Sequence, residues 1–176
     1  MRNFFLSVSL ALALVCSSID SAHAGVDLSG MKSISAASGV SKIPNGMVVG
    51  CEDSSQIKIQ ALAPDLVRVR VSFQKALPTN DHSWAIARTK WDSVSTQISE
   101  TKDQFTLETP ELKVVVQRNP LRVSFYDRSS GKLINTDGQS MKFDPKTGAI
   151  ATTKTLGFDE HFYGLGEKAG HLDKRH

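Results

Sequence analysis

Cysteine is nearly absent, with only Cys16 and Cys51 among 176 residues. Two thiols cannot build the disulfide framework of a small secreted scaffold. Aromatic residues make up 7% and prolines number six, and no collagen-like period or low-complexity tract runs through the chain. No sign of charge dominates either. The 21 Lys and Arg against 18 Asp and Glu leave +3, too little to require a nucleic acid or an anionic membrane as partner. No apolar run reaches the roughly 20 residues of a membrane-spanning helix. What is left, 40% hydrophobic and 22% charged, is the composition of an ordinary folded domain, and the length suits one.

The N-terminus has its own composition. Met1 and Arg2 make a short basic start, Phe4 to Cys16 form a mostly apolar stretch, and Ser17, Ser18 and Asp20 interrupt it. Ala22-His23-Ala24 then puts small residues at −3 and −1 before Gly25. This is the layout of a secretory signal peptide over residues 1–24, so the expectation is export to a periplasm or to the medium. Cleavage would remove Arg2 and Asp20 together and keep the balance at +3. It would also remove Cys16, leaving Cys51 without an intramolecular partner and stability to packing alone. Cys51 reads as a small buried hydrophobe rather than a reactive thiol.

Residues 25–47 are rich in Gly, Ser, Ala and Lys and carry Pro44-Asn45-Gly46 as a turn signal. They read as a linker or leader ahead of a fold spanning 48–176. From there the period is two. Ile57, Ile59 and Ala61 alternate with Lys58 and Gln60, and Val67, Val69, Val71 and Phe73 alternate with Arg68, Arg70 and Ser72. Ala63-Pro64-Asp65 separates the runs, which predicts a hairpin with one apolar and one polar face. Arg68 and Arg70 fall on the polar face, as a solvated surface or in cross-strand ion pairs.

Three further runs, around Phe105 and Leu107, then Leu112 to Val116, then Leu121 to Phe125, repeat the alternation. Short strands at Leu133-Ile134 and Met141–Phe143 lie between the turns Ser129-Ser130-Gly131 and Asp144–Gly148. Residues 82–100 are the least legible, with Trp84 and Trp91 able to anchor a loop or another strand. Many short strands with turns between them predict an all-β antiparallel sandwich or barrel.

The segment from Phe158 to His176 concentrates His161, His171 and His176, four acidic residues, and Gly164, Gly166 and Gly170. A dinucleotide loop does not fit, because the third glycine lies four residues after the second and no amphipathic helix follows. Histidine spacings of ten and five match no standard zinc pattern. The run Phe162-Tyr163-Gly164-Leu165-Gly166-Glu167-Lys168, followed by Leu172-Asp173-Lys174-Arg175, instead resembles the YGLGEK…LDKRG signature of family 31 glycoside hydrolases, the α-glucosidases and α-xylosidases. The strand runs around Val67–Val71 and Leu121–Phe125 are similar to that family's N-terminal sandwich. His176 departs from the pattern, where the family usually has glycine.

The resemblance implies a galactose-mutarotase-like β-sandwich, incomplete at its C-terminus, ahead of a (β/α)8 barrel. In such enzymes the barrel carries a nucleophile and a general acid/base working by the retaining double displacement, without metal or organic cofactor. No stretch here resembles either barrel motif, and a barrel alone takes about 250 residues. The resemblance therefore assigns no catalytic residue and implies that this chain by itself is inactive. It implies an α-linked oligosaccharide substrate for the complete enzyme, and no nucleic acid or membrane partner after signal removal. Glu167, Lys168, Asp173 and Arg175 are the candidates for a substrate-pocket or barrel-docking role. The alternative is a standalone exported sandwich that binds carbohydrate or protein, with Trp84, Trp91, Tyr126 and Tyr163 as its available aromatic platform.

Overall fold

Runs of period two become paired strands when tight turns bring them together, and the described residues form twelve strands and no helix. The computed structural model describes residues 28–78, 88, 90–164, 166 and 172–175. In chain order the strands are β1 (Lys32–Ser33), β2 (Ala37–Ile43), β3 (Gly46–Cys51), β4 (Gln56–Ala63), β5 (Leu66–Ser72) and β6 (Gln97–Glu100). They continue as β7 (Gln104–Glu108), β8 (Leu112–Gln117), β9 (Arg122–Asp127), β10 (Leu133–Thr136), β11 (Lys142–Phe143) and β12 (Ile150–Ala151). One sheet has the order β2-β3-β4-β5, a second β10-β9-β8-β7-β6, and a small third β1-β11-β12. Every pairing is antiparallel.

The first two sheets face each other across a common core. Met47, Val49, Ile57 and Ile59 come from the four-stranded sheet and Phe105, Leu107, Val114, Val116 and Val123 from the five-stranded one. Register keeps these rows continuous, as Val49 opposes Ile57 and Ile57 opposes Val71. Likewise Leu107 opposes Val114, which opposes Phe125. Because side chains alternate faces, a one-residue slip would turn each row to solvent. The β4–β5 hairpin and the β7–β8–β9 meander thus follow the expected alternation. Arg68 and Arg70 stand on the polar face of β5 opposite Gln60 and Lys58.

Two contacts tie the layers at their ends. Thr109, buried in the β7–β8 turn, donates its hydroxyl to the Pro64 carbonyl in the β4–β5 turn at 2.5 Å and accepts from Leu112 N at 2.8 Å. At another rim Phe73 stacks on Phe143, with ring centroids 4.6 Å apart. Cys51 lies in the core, and burial, reinforced by Asp53 and Glu52, pushes its thiol up to about 12. Such a thiol stays protonated and inert at neutral pH.

The reading of 25–47 as linker does not hold for the described part of that stretch. β1 pairs with β11, and β2 pairs with β3 from Ala37↔Cys51 to Ile43↔Gly46. Between them Ile34 is buried with its N–H on the Met141 carbonyl, and Ala37 donates to Arg118 at 2.9 Å. β2 is an edge strand on which Ser38, Ser41 and Lys42 are exposed, and its small and polar residues mask the strand signal. The stretch 82–100 contributes β6 at its end, while Trp84 lies outside the described residues.

Candidate functional site

The chain leaves the sandwich through one firm anchor. Asp137 and Lys154 form an isolated antiparallel bridge, and Thr155 N donates to the Thr136 carbonyl at 2.9 Å. The buried Asp137 carboxylate accepts from Val123 N at 2.8 Å through one oxygen and from Lys154 Nζ at 2.5 Å through the other. A buried carboxylate needs both kinds of partner. Beyond this point lies the segment that holds the sequence candidates.

Asp173 organises that segment. Its Oδ2 is 2.5 Å from His161 Nδ1, while Oδ1 accepts from Arg175 N at 3.0 Å and Phe162 N at 3.3 Å. The His161 hydrogen bond, with the two backbone donors behind it, holds the Asp173 carboxyl down at about 2. Arg175 turns its guanidinium onto the carbonyls of Phe158 and Glu160, the latter at 2.9 Å. Lys174 N closes onto the Phe162 carbonyl at 2.7 Å. Residues 158–163 and 172–175 are thereby stitched into one clasp, and the His161 ring stacks at 6.3 Å on that of Tyr163.

Gly164 and Gly166 have φ of +87° and +79°. A Cβ at either would meet nothing within 4 Å, so backbone conformation, not close approach, calls for glycine among the described neighbours. The clasp also presents apolar surface: Phe158 is 90% exposed, Leu172 79% and Tyr163 62%.

Of the four sequence candidates, Asp173 and Arg175 meet in this clasp, whereas Glu167 and Lys168 lie outside the described residues. Both oxygens of Asp173 are engaged, and a carboxyl held near 2 has no proton to give at neutral pH. The arrangement shapes a surface; it has the wrong charge state for a general acid. His161 enters as the partner of Asp173. The other two histidines of the segment, His171 and His176, lie outside the described residues. Sequence spacing carried no hint of the His161–Asp173 pair, which forms only when the chain folds back. Of the aromatic candidates, Tyr163 stacks on His161, Tyr126 is on β9, Trp91 lies half-buried under the Arg88 guanidinium, 4.9 Å from the ring centroid, and Trp84 lies outside the described residues.

Comparison with known proteins adds an independent line. The sequence model of the glycosyl hydrolase 31 N-terminal galactose mutarotase-like domain matches residues 56–176. Alpha-glucosidase 2 of Bacillus thermoamyloliquefaciens is 31% identical over 123 residues, covering 70% of this chain. The chain spans 15% of the length of that relative. Among solved structures, a GH31 dextranase from Flavobacterium johnsoniae, seen with isomaltotriose and with glucose, superposes with a TM-score of 0.70 and 27% identity. That match covers 82% of this chain and 18% of the dextranase. A cycloalternan-forming enzyme from Listeria monocytogenes shares the fold at a TM-score of 0.62 and 16% identity, over 81% of this chain and 14% of its own.

Proposed function

Since the chain belongs to the glycosyl hydrolase 31 family, through that family's N-terminal galactose mutarotase-like domain, we propose that it is the sandwich portion of an exported retaining α-glycosidase. Its task in the complete enzyme is to brace the catalytic barrel and form one wall of a pocket for α-linked glucose or xylose. The observation that carries the reading is the family match over residues 56–176, which takes in β4 and β5, the whole five-stranded sheet and the clasp. The chemistry belongs to two carboxyl groups of the barrel, about 5–5.5 Å apart, acting as nucleophile and acid/base. The clasp supports the bracing role: it is rigidly hydrogen-bonded, anchored at Asp137, and crowned with exposed apolar side chains that suit burial against another domain.

Export rests on the layout of residues 1–24, and N-terminal sequencing of the secreted product should begin at Gly25. The activity is tested by reading the coding frame past the His176 codon and assaying its full product on chromogenic α-glucosides and α-xylosides. Turnover with retained anomeric configuration is expected there, and none from the 176-residue chain. Turnover by the 176-residue chain alone would overturn the proposal, as would an intact longer product that cleaves no α-glycoside.

A further inference from the structure

The outward face of the five-stranded sheet has a relief that neither the core nor the clasp accounts for. Register across β6, β7, β8, β9 and β10 sorts its outward side chains into rows. The middle row runs Ser99, Thr106, Val115, Ser124 and Thr136, each directly opposite the next. All are small. One flanking row is Glu108, Lys113, Tyr126 and Leu133, and the other is Gln104, Gln117 and Arg122. The flanking rows are four residues apart on β8, about 13 Å, and five strands span about 19 Å. The result is a trough running across the strands, with long side chains along its walls and a floor on which Thr106 and Val115 are themselves buried. A cleft of about 500 Å³ opens along its Glu108, Lys113 and Tyr126 side, with Asp127 and Arg128 also in its lining and Val115 its one residue from the middle row.

The wall chemistry narrows the occupant. Arg128 Nε and Glu108 Oε2 pair at 3.3 Å, and Asp127 turns inward to Ser129 and Ser130. Acidic groups therefore sit beside the cations, which disfavours a polyanion such as nucleic acid. Among the described residues Arg122 Nε is the buried side-chain polar atom left without a hydrogen-bond partner. Ser124 and Thr136 share a hydroxyl–hydroxyl bond of 2.7 Å on the floor. Paired charges, amides and hydroxyls around one aromatic ring suit a neutral ligand dense in hydroxyls, with a flat C–H face for the ring.

We infer that this trough is a saccharide-binding surface for short neutral α-linked gluco-oligosaccharides, separate from the clasp, with Tyr126 as stacking platform and Gln104, Lys113 and the Glu108–Arg128 pair as hydrogen-bonding walls. The choice of a glucan rests on the glycosidase reading; the trough itself does not. Open to solvent on one side, it holds substrate near the enzyme without taking part in cleavage.

The test is titration of the full chain with isomaltotriose and maltotriose, followed by amide NMR shifts at Val115 and Ser124. A cellotriose control and a cooperative thermal transition for every variant accompany it. Saturable binding near 1 mM is expected, weakened about tenfold by Tyr126→Ala and severalfold by Lys113→Ala, and unchanged by Tyr163→Ala. Absence of saturable binding up to about 10 mM would overturn the proposal. So would binding that both trough variants leave intact, or shifts confined to residues outside the trough. None of these outcomes touches the glycosidase reading, which stands on turnover by the longer product. Preference for cellotriose over both α-glucans would overturn the trough's ligand class and weigh against that reading as well.

Discussion

At the scale of single residues, Asp173 is the hinge of the C-terminal segment. Its carboxyl is depressed from the ordinary value of 3.8 to about 2, foremost by the His161 hydrogen bond. A depressed folded-state value means that protonation opposes the folded arrangement. The contribution of Asp173 to ordering the clasp is thus complete above about pH 4 and is lost as pH falls through about 2. Hydrogen exchange at the Phe162 and Arg175 amides should report this loss, while core amides on β8 stay protected. Asp173→Asn should speed exchange at the same two amides by about tenfold at neutral pH and leave the melting temperature of the sandwich unchanged. Equal protection in wild type and variant would show that the clasp closes without this carboxylate.

At the scale of elements, the β2–β3 turn is the tightest joint. Pro44 and Asn45 span it, with Asn45 at φ +56°. Asn45 also holds the chain before β6, its side chain accepting from Val94 N at 3.3 Å and donating to the Asp92 carbonyl at 3.2 Å. Gly46 follows where β3 crosses β4 so closely that a Cβ would lie 2.1 Å from the Ile59 carbonyl oxygen and 2.9 Å from Gln60 Cα. Both obstacles are backbone, so no side chain can yield. Gly46→Ala should destabilise the chain by about 3 kcal/mol or prevent folding, whereas Gly39→Ala, where nothing lies within 4 Å, should cost about 1 kcal/mol or less. Urea denaturation of the two variants side by side separates local crowding from a general dislike of side chains in this hairpin.

At the scale of the whole molecule, the sandwich depends on residues that composition assigns to a leader. A chain beginning at residue 48 would lose β1, β2 and the start of β3, and with them Ile34, Ala37 and Met47 from the core. Removing Met47 alone is a large-to-small change of about 2–5 kcal/mol, comparable to the net stability of a small domain. Such a chain should melt without a cooperative transition, while one beginning at residue 28 should show one by circular dichroism. Cooperative unfolding of the shorter chain would mean that β2 is an accessory rather than a structural strand.

Strand identity was legible in the sequence because inward and outward positions alternate along one strand. Ile57, Ile59, Val114 and Val116 announce their face with no knowledge of their partners. The signature near Tyr163 and Asp173 was legible for a different reason, as a run of unusual residues in fixed order. Neither kind of signal reaches across the chain. That β2 is a strand depends on β3 supplying its hydrogen bonds, and its Ser, Gly and Lys content conceals this. That His161 closes on Asp173 depends on a chain reversal between them. The trough depends on the register of five strands, where Thr106, Val115 and Ser124 become neighbours although each lies nine positions from the next. Period and composition are local properties and set which residues face inward. Pairing, register and fold-back are long-range, and only tertiary contacts decide them.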